Sequence, residues 1–122
     1  MGMYTNLTVQ NGIAVQSGFM IGSSATIAAN TANTQAAGTP VIAMVVKVTA
    51  TAAGSILLPK SVAGTEITLH NSSAFAVSVF AQVGDVINAL AANAALSLPT
   101  GTSVTFTAIS AGLWFTVPRI PS

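Results

Sequence analysis

The chain has 122 residues but only five charged side chains, Lys47, Lys60, Glu66, Asp85 and Arg119, and it contains no cysteine. Soluble domains of this size carry roughly 30 charges. The missing cysteines exclude disulfides, thiolate metal sites and a Cys nucleophile, and three scattered basic residues leave no footprint for nucleic acid, where several phosphates must be neutralised.

A spanning helix needs about 20 consecutive apolar residues, whereas the longest aliphatic run is Val41-Ile-Ala-Met-Val-Val46. One chain of this length is also too short, and too poor in aromatic residues, for a transmembrane barrel. That leaves only a barrel built from several copies, so no membrane partner is expected. The start, Met1-Gly-Met-Tyr-Thr-Asn6, lacks the basic and apolar regions of a signal peptide. Asn6 stands where a myristoylation pattern requires Ser or Thr. A folded monomer of this mass exposes roughly 6,000 Å², which here falls almost entirely to Ala, Thr, Ser, Asn, Gly and aliphatic groups. Such a surface is poorly guarded against association. An obligate oligomer or a component of a larger particle is the expectation.

In chain order, residues 1–40 read as an N-terminal extended arm and 41–122 as the folded body. Asn11-Gly12 is a turn dipeptide that can close a short hairpin. The stretch from 22 to 39 is nearly all small and polar, cannot bury much apolar area, and reads equally as an extended arm or a disordered tail. From Pro40 the period becomes that of a strand. Ile42, Met44, Val46 and Val48 form one face, with Ala43 and Lys47 on the other. Ser55-Ile-Leu-Leu-Pro59 is a short strand ended by proline. In Thr65-Glu-Ile-Thr-Leu-His-Asn71, Ile67 and Leu69 oppose Glu66, Thr68 and His70, and Asn71-Ser-Ser73 makes a turn. Phe75-Ala-Val-Ser-Val-Phe-Ala81 continues the pattern.

Residues 84–106 hold one charge, Asp85. Val86, Ile87, Leu90, Ala91 and Ala94 fall at helical spacing, and a one- or two-turn helix stays open. With no charge to solvate an outer face, short extended segments at 86–90 and 95–98 are favoured. Next, Val104, Phe106 and Ala108 alternate with Ser103, Thr105 and Thr107, and Leu113-Trp-Phe-Thr-Val117 ends the pattern. Short strands punctuated every 8 to 12 residues predict an all-β fold, an antiparallel β-sandwich or jelly-roll-like domain.

Chemistry finds little purchase. Glu66 and His70 share one strand face but stand about 13 Å apart at ~3.3 Å per residue, too far for one acid–base site. No nucleophile-elbow motif accompanies His70. Asp85 reads as a turn residue accepting backbone N–H bonds. No acidic cluster surrounds it for Ca²⁺. Asn6-Leu-Thr8 and Asn71-Ser-Ser73 match the glycosylation pattern, as chance allows in a chain this rich in Asn, Ser and Thr. No catalytic residue, cofactor or metal is expected.

The series Leu58-Pro59, Ile67-Thr-Leu-His-Asn71, Val77-Ser-Val-Phe80, Gly84-Asp85-Val-Ile-Asn88, Leu90-Ala-Ala-Asn93, Pro99-Thr-Gly101, Phe106 and Gly112-Leu-Trp114 resembles small virion proteins of tailed bacteriophages. Those are capsid decoration, or cement, proteins with β-sandwich or jelly-roll bodies, often trimeric. The resemblance covers roughly residues 56–117. It implies a structural role on the outer capsid surface, as a homotrimer, with the major capsid protein and further copies of the chain as partners, and no enzymatic activity. It also implies that Asp85, Asn88 and Asn93 organise loops, that Gly101 and Gly112 serve tight turns, and that Trp114 anchors the last strand. Met3, Tyr4, Leu7, Val9, Phe19, Met20 and Ile21, the bulky groups of the arm, are the candidates for clasping a neighbour or the shell. The alternatives are a tail, collar or fibre-associated phage module, and a carbohydrate-binding or adhesin-like domain presenting aromatic residues.

Overall fold

The computed structural model describes residues 23–118, and strand formation in them follows the period-two pattern. The strands are β1 (Ser24–Ala28), β2 (Thr39–Pro40), β3 (Val45–Thr49), β4 (Gly54–Leu57), β5 (Glu66–Asn71), β6 (Val77–Phe80), β7 (Val86–Ile87), β8 (Leu96–Leu98), β9 (Ser103–Ser110) and β10 (Leu113–Val117). On β3, Val46 and Val48 are buried between exposed Val45 and Lys47. On β5, Ile67, Leu69 and Asn71 point inward and Glu66 and His70 outward. On β9, Val104, Phe106 and Ala108 are buried. Alternate side chains of a strand lie on opposite faces, so one face of each strand feeds a shared core. Trp114, Phe106, Ile56, Leu58 and Leu69 are its largest fully buried members.

The order of the strands overturns the antiparallel sandwich or jelly-roll. One sheet has six strands in the order β1-β3-β5-β9-β10-β7, and the other has four in the order β2-β4-β6-β8. Within them β1, β3 and β5 run parallel, as do β2, β4 and β6. The chain therefore alternates between sheets and returns in register to the first, forming the coils of a β-solenoid. Val45 pairs with Thr68 in one sheet and Gly54 with Val77 in the other, 23 residues on in each case. Parallel neighbours need a crossover of a dozen or more residues, usually a helix. Here the second sheet is the crossover. Period-two alternation is the same in parallel and antiparallel strands, and the corners of a coil use the same turn residues as a hairpin, which is why the sequence reads as antiparallel.

After β6 the pattern changes. β8 pairs antiparallel with β6, β9 with β5, and β10 with β9. These strands cover the edges that the last coil would otherwise present. The 84–106 window contains β7, β8 and turns, with no helix among the described residues.

Two further readings are corrected. Ile42 and Met44 do not share the buried face of Val46 and Val48. They sit on the corner before β3 and are exposed, whereas Val41 is buried. Residues 24–40, read as arm or tail, supply β1 and β2, and Ile27 and Ala29 join the core. Their order comes from distant partners rather than from composition. Asn30 and Ser55 exchange backbone bonds of 2.9 Å, Ser55 Oγ donates to Thr34 O at 2.9 Å, and Gln35 Nε2 donates to Ala81 O at 2.8 Å.

Gly54 makes that docking possible. A Cβ there would lie 2.7 Å from Asn30 O and 3.1 Å from Ala29 Cβ, contacts that only backbone movement can relieve. Gly54→Ala is expected to cost about 1–3 kcal/mol, lowering the melting temperature by roughly 10 °C. Hydrogen exchange at the Asn30 and Ser55 amides should accelerate. Unchanged protection there would show that the 29–38 loop is not seated on β4.

Candidate functional site

Buried polar side chains hold the corners of the coils. Asp85 follows a turn whose backbone closes Asp85 N to Gln82 O at 2.9 Å, yet the partners of its carboxylate come from the loop after β4. Lys60 Nζ donates to Oδ1 at 2.8 Å, and the Ser61 amide and hydroxyl donate to Oδ2 at 3.3 and 3.0 Å. Ser61 Oγ in turn accepts Gly112 N at 2.5 Å. One carboxylate thus joins the 58–65 loop, the 82–85 turn and the β9–β10 turn. Asp85 is 2% exposed, whereas the Lys60 side chain is 64% exposed. Burial pushes the Asp85 carboxyl up. The bonds from Lys60 and from the Ser61 amide and hydroxyl, with the Lys60 charge, outweigh it and hold the group below its ordinary value.

Asn88 is buried on the neighbouring edge. Its Nδ2 donates to Thr116 Oγ1 and its Oδ1 accepts Thr116 N, both at 3.0 Å, which fastens the end of β7 to β10. Asn93 is exposed, and its Oδ1 accepts Gly84 N at 2.9 Å and Gln35 Nε2 at 3.3 Å. Both asparagines adopt positive φ, 54° and 68°, as do Gly101 and Gly112 at 71° and 85°, the left-handed region that asparagine and glycine tolerate. Trp114 is fully buried in β10, and its indole N–H has no hydrogen-bond partner among the described residues. Met3, Tyr4, Leu7, Val9, Phe19, Met20 and Ile21, and the Asn11-Gly12 hairpin, lie outside the described residues.

Asn71 was legible only as a turn residue, yet it is the most connected side chain of its corner. It is fully buried. Its Nδ2 donates to Phe75 O at 2.7 Å and Leu98 O at 2.9 Å, and its Oδ1 accepts Ser73 N at 3.0 Å and Ser73 Oγ at 2.7 Å. An amide nitrogen so engaged is not available as a glycan acceptor. The signal was its position on the apolar face of β5, in step with Ile67 and Leu69, where an asparagine must be satisfied internally.

The outer face of the six-stranded sheet carries the remaining ionisable groups of the described body. The registers set out its rows. Thr26, Lys47, His70 and Ser103 form one, Ser24, Val45, Thr68, Thr105 and Val117 the next, and Glu66, Thr107 and Phe115 the third. Hydroxyls link across it: Thr68 Oγ1 and Thr105 Oγ1 are 2.8 Å apart, and His70 Nδ1 and Ser103 Oγ are 2.6 Å apart. Among the described residues no three His, Asp or Glu side chains group as metal ligands, and no helix is long and apolar enough to cross a membrane. Comparison with protein-family models, curated proteins and solved structures finds no match for this chain.

Removing Asp85 leaves Ser61 without its acceptor in a buried corner. Asp85→Ala should cost about 2 kcal/mol, whereas Lys60→Ala, which leaves the buried carboxylate its two Ser61 bonds and opens Oδ1 to water where the largely exposed side chain stood, should cost about 1 kcal/mol. Urea unfolding of the two variants checks the ranking. The unfolded carboxyl titrates near 3.8 and the folded one lower, so the Asp85 contribution is complete above the unfolded value and is lost as pH falls through the folded one. The stability of Asp85→Asn should therefore fall less below pH 4 than that of the parent. Parallel acid limbs would contradict the assignment.

Proposed function

We propose that the protein is a structural component of a tailed-bacteriophage virion, a capsid decoration protein that acts as a homo-oligomer on the outer head surface. The observation that carries the assembly role is the outer surface of the solenoid. Lys60 and Asp85 are spent on each other, leaving Lys47 and Glu66 as the other formal charges of the described body, while Ile42, Met44, Val45, Val62, Val83, Ile109 and Val117 are exposed. A surface so weakly charged and so apolar suits burial against other protein. Phage origin and the head position rest on the motif series alone. Several weak contacts made at once by an oligomer would give firm attachment.

The coil architecture favours a second placement, a tail- or fibre-associated module. β1 and β2 are edge strands at the same end of the two sheets, and a stack of coils suits an elongated part. The sugar-binding alternative gains nothing from Trp114, which is fully buried and offers no stacking platform.

Purified full-length protein mixed with phage heads and, separately, with tails should co-sediment with heads and saturate at a fixed number of copies per shell. Binding to tails alone would move the role to the second placement. Binding to neither would reject the virion reading.

A further inference from the structure

Building on the oligomeric reading above, we propose that a second copy of the chain covers the outer face of the six-stranded sheet, packed face to face about a two-fold axis that runs across the strands. Two charges on this face have no ion-pair partner among the described residues, where the one salt bridge is Lys60–Asp85. Lys47 lies beside His70 in the β3–β5 register, and Glu66 is four residues back along β5. At ~3.3 Å per residue and ~4.8 Å between strands they stand about 14 Å apart, too far to pair within one copy.

Symmetry decides which arrangement joins them. A two-fold axis parallel to the strands would lay each row over itself, keeping Lys47 and Glu66 at opposite ends. An axis across the strands, along the row Ser24, Val45, Thr68, Thr105 and Val117, exchanges the two flanking rows. Glu66 of each copy then lies over His70 of the other, with that copy's Lys47 one strand away. Two equivalent charge contacts form, and Val45 and Val117, 54% and 59% exposed, each meet their own counterparts on the axis. Between them Thr68 and Thr105 share one hydrogen bond, so burying the centre of the face leaves one hydroxyl proton of the pair, which the facing hydroxyls on the axis can accept. An isologous contact of this kind is closed and self-complementary. Six strands of about five residues span roughly 450 Å² per copy at those spacings, or about 900 Å² for the pair, which lies below the range of stable interfaces and within that of weak, transient ones, so the dimer should dissociate on dilution.

The absence of cysteine gives a direct test in the full-length chain. Under mild oxidation Val45→Cys should form a disulfide-linked dimer, while Val83→Cys, on the exposed turn before β7, should not. Equal cross-linking of both would mean random collision and overturn the proposal. In sedimentation experiments Lys47→Glu and Glu66→Lys should each weaken self-association roughly tenfold, and the double exchange should recover most of it. No change in either single variant overturns the pairing. If the Val45→Cys thiol reacts freely in the isolated protein and is blocked only on phage heads, the shell and not a second copy covers the face. A chain that associates without these signatures loses this proposal alone; one that stays a monomer loses the oligomeric reading as well.

Discussion

A chain that returns to its first sheet by way of a second has, among the described residues, no helix to lay over its outer faces, and this one has almost no charge with which to solvate them. That constraint shapes everything else in the molecule. Each coil must turn two corners, and the backbone groups left over at those corners must find partners. With so few ionisable residues, the partners are asparagine, serine and one aspartate, drawn inward and fully engaged. Asn71 ties the end of β5 to the corner that follows it and to the end of β8, through Phe75 O and Leu98 O. Asp85 joins three loops through Ser61 and Lys60. Asn88 clamps β7 to β10. The interior is thus pinned by side-chain polarity at its ends and filled by aliphatic packing between them.

Strand faces were largely readable in advance because burial imposes alternation. Ile67 and Leu69 on β5, and Val104, Phe106 and Ala108 on β9, point inward as their spacing requires. Strand direction was not readable, because alternation carries no sign of direction, and the successive coils share no sequence repeat that would reveal a stack. Residues 24–40 failed as an arm for a related reason. Their small side chains are favoured not by their own burial but by what they permit, the close seating of the 29–38 loop on Gly54. Local composition cannot report a contact made 25 residues away. Asp85 was recognisable as a turn residue, but its donors sit on a loop that only the folding of the coils brings near it.

The closing strands give the two ends of the stack different characters. Beyond β5 and β6 the chain reverses and covers both edges with antiparallel partners, while β1 and β2 stand at the other end as edge strands. Between these ends lies a broad sheet face of hydroxyls, valines and two separated opposite charges. Its few charges are too far apart to pair within one copy, and its valines stand exposed, which favours a contact with protein over one with a charged ligand.

The claim that matters most is that this outer skin is covered by another copy of the same polypeptide. Light scattering of the unaltered protein across a hundredfold dilution reads it directly. The mass should be twice the 12.1 kDa of the chain at high concentration and fall toward the single-chain value as the sample is diluted. A mass that stays at one chain throughout would contradict it.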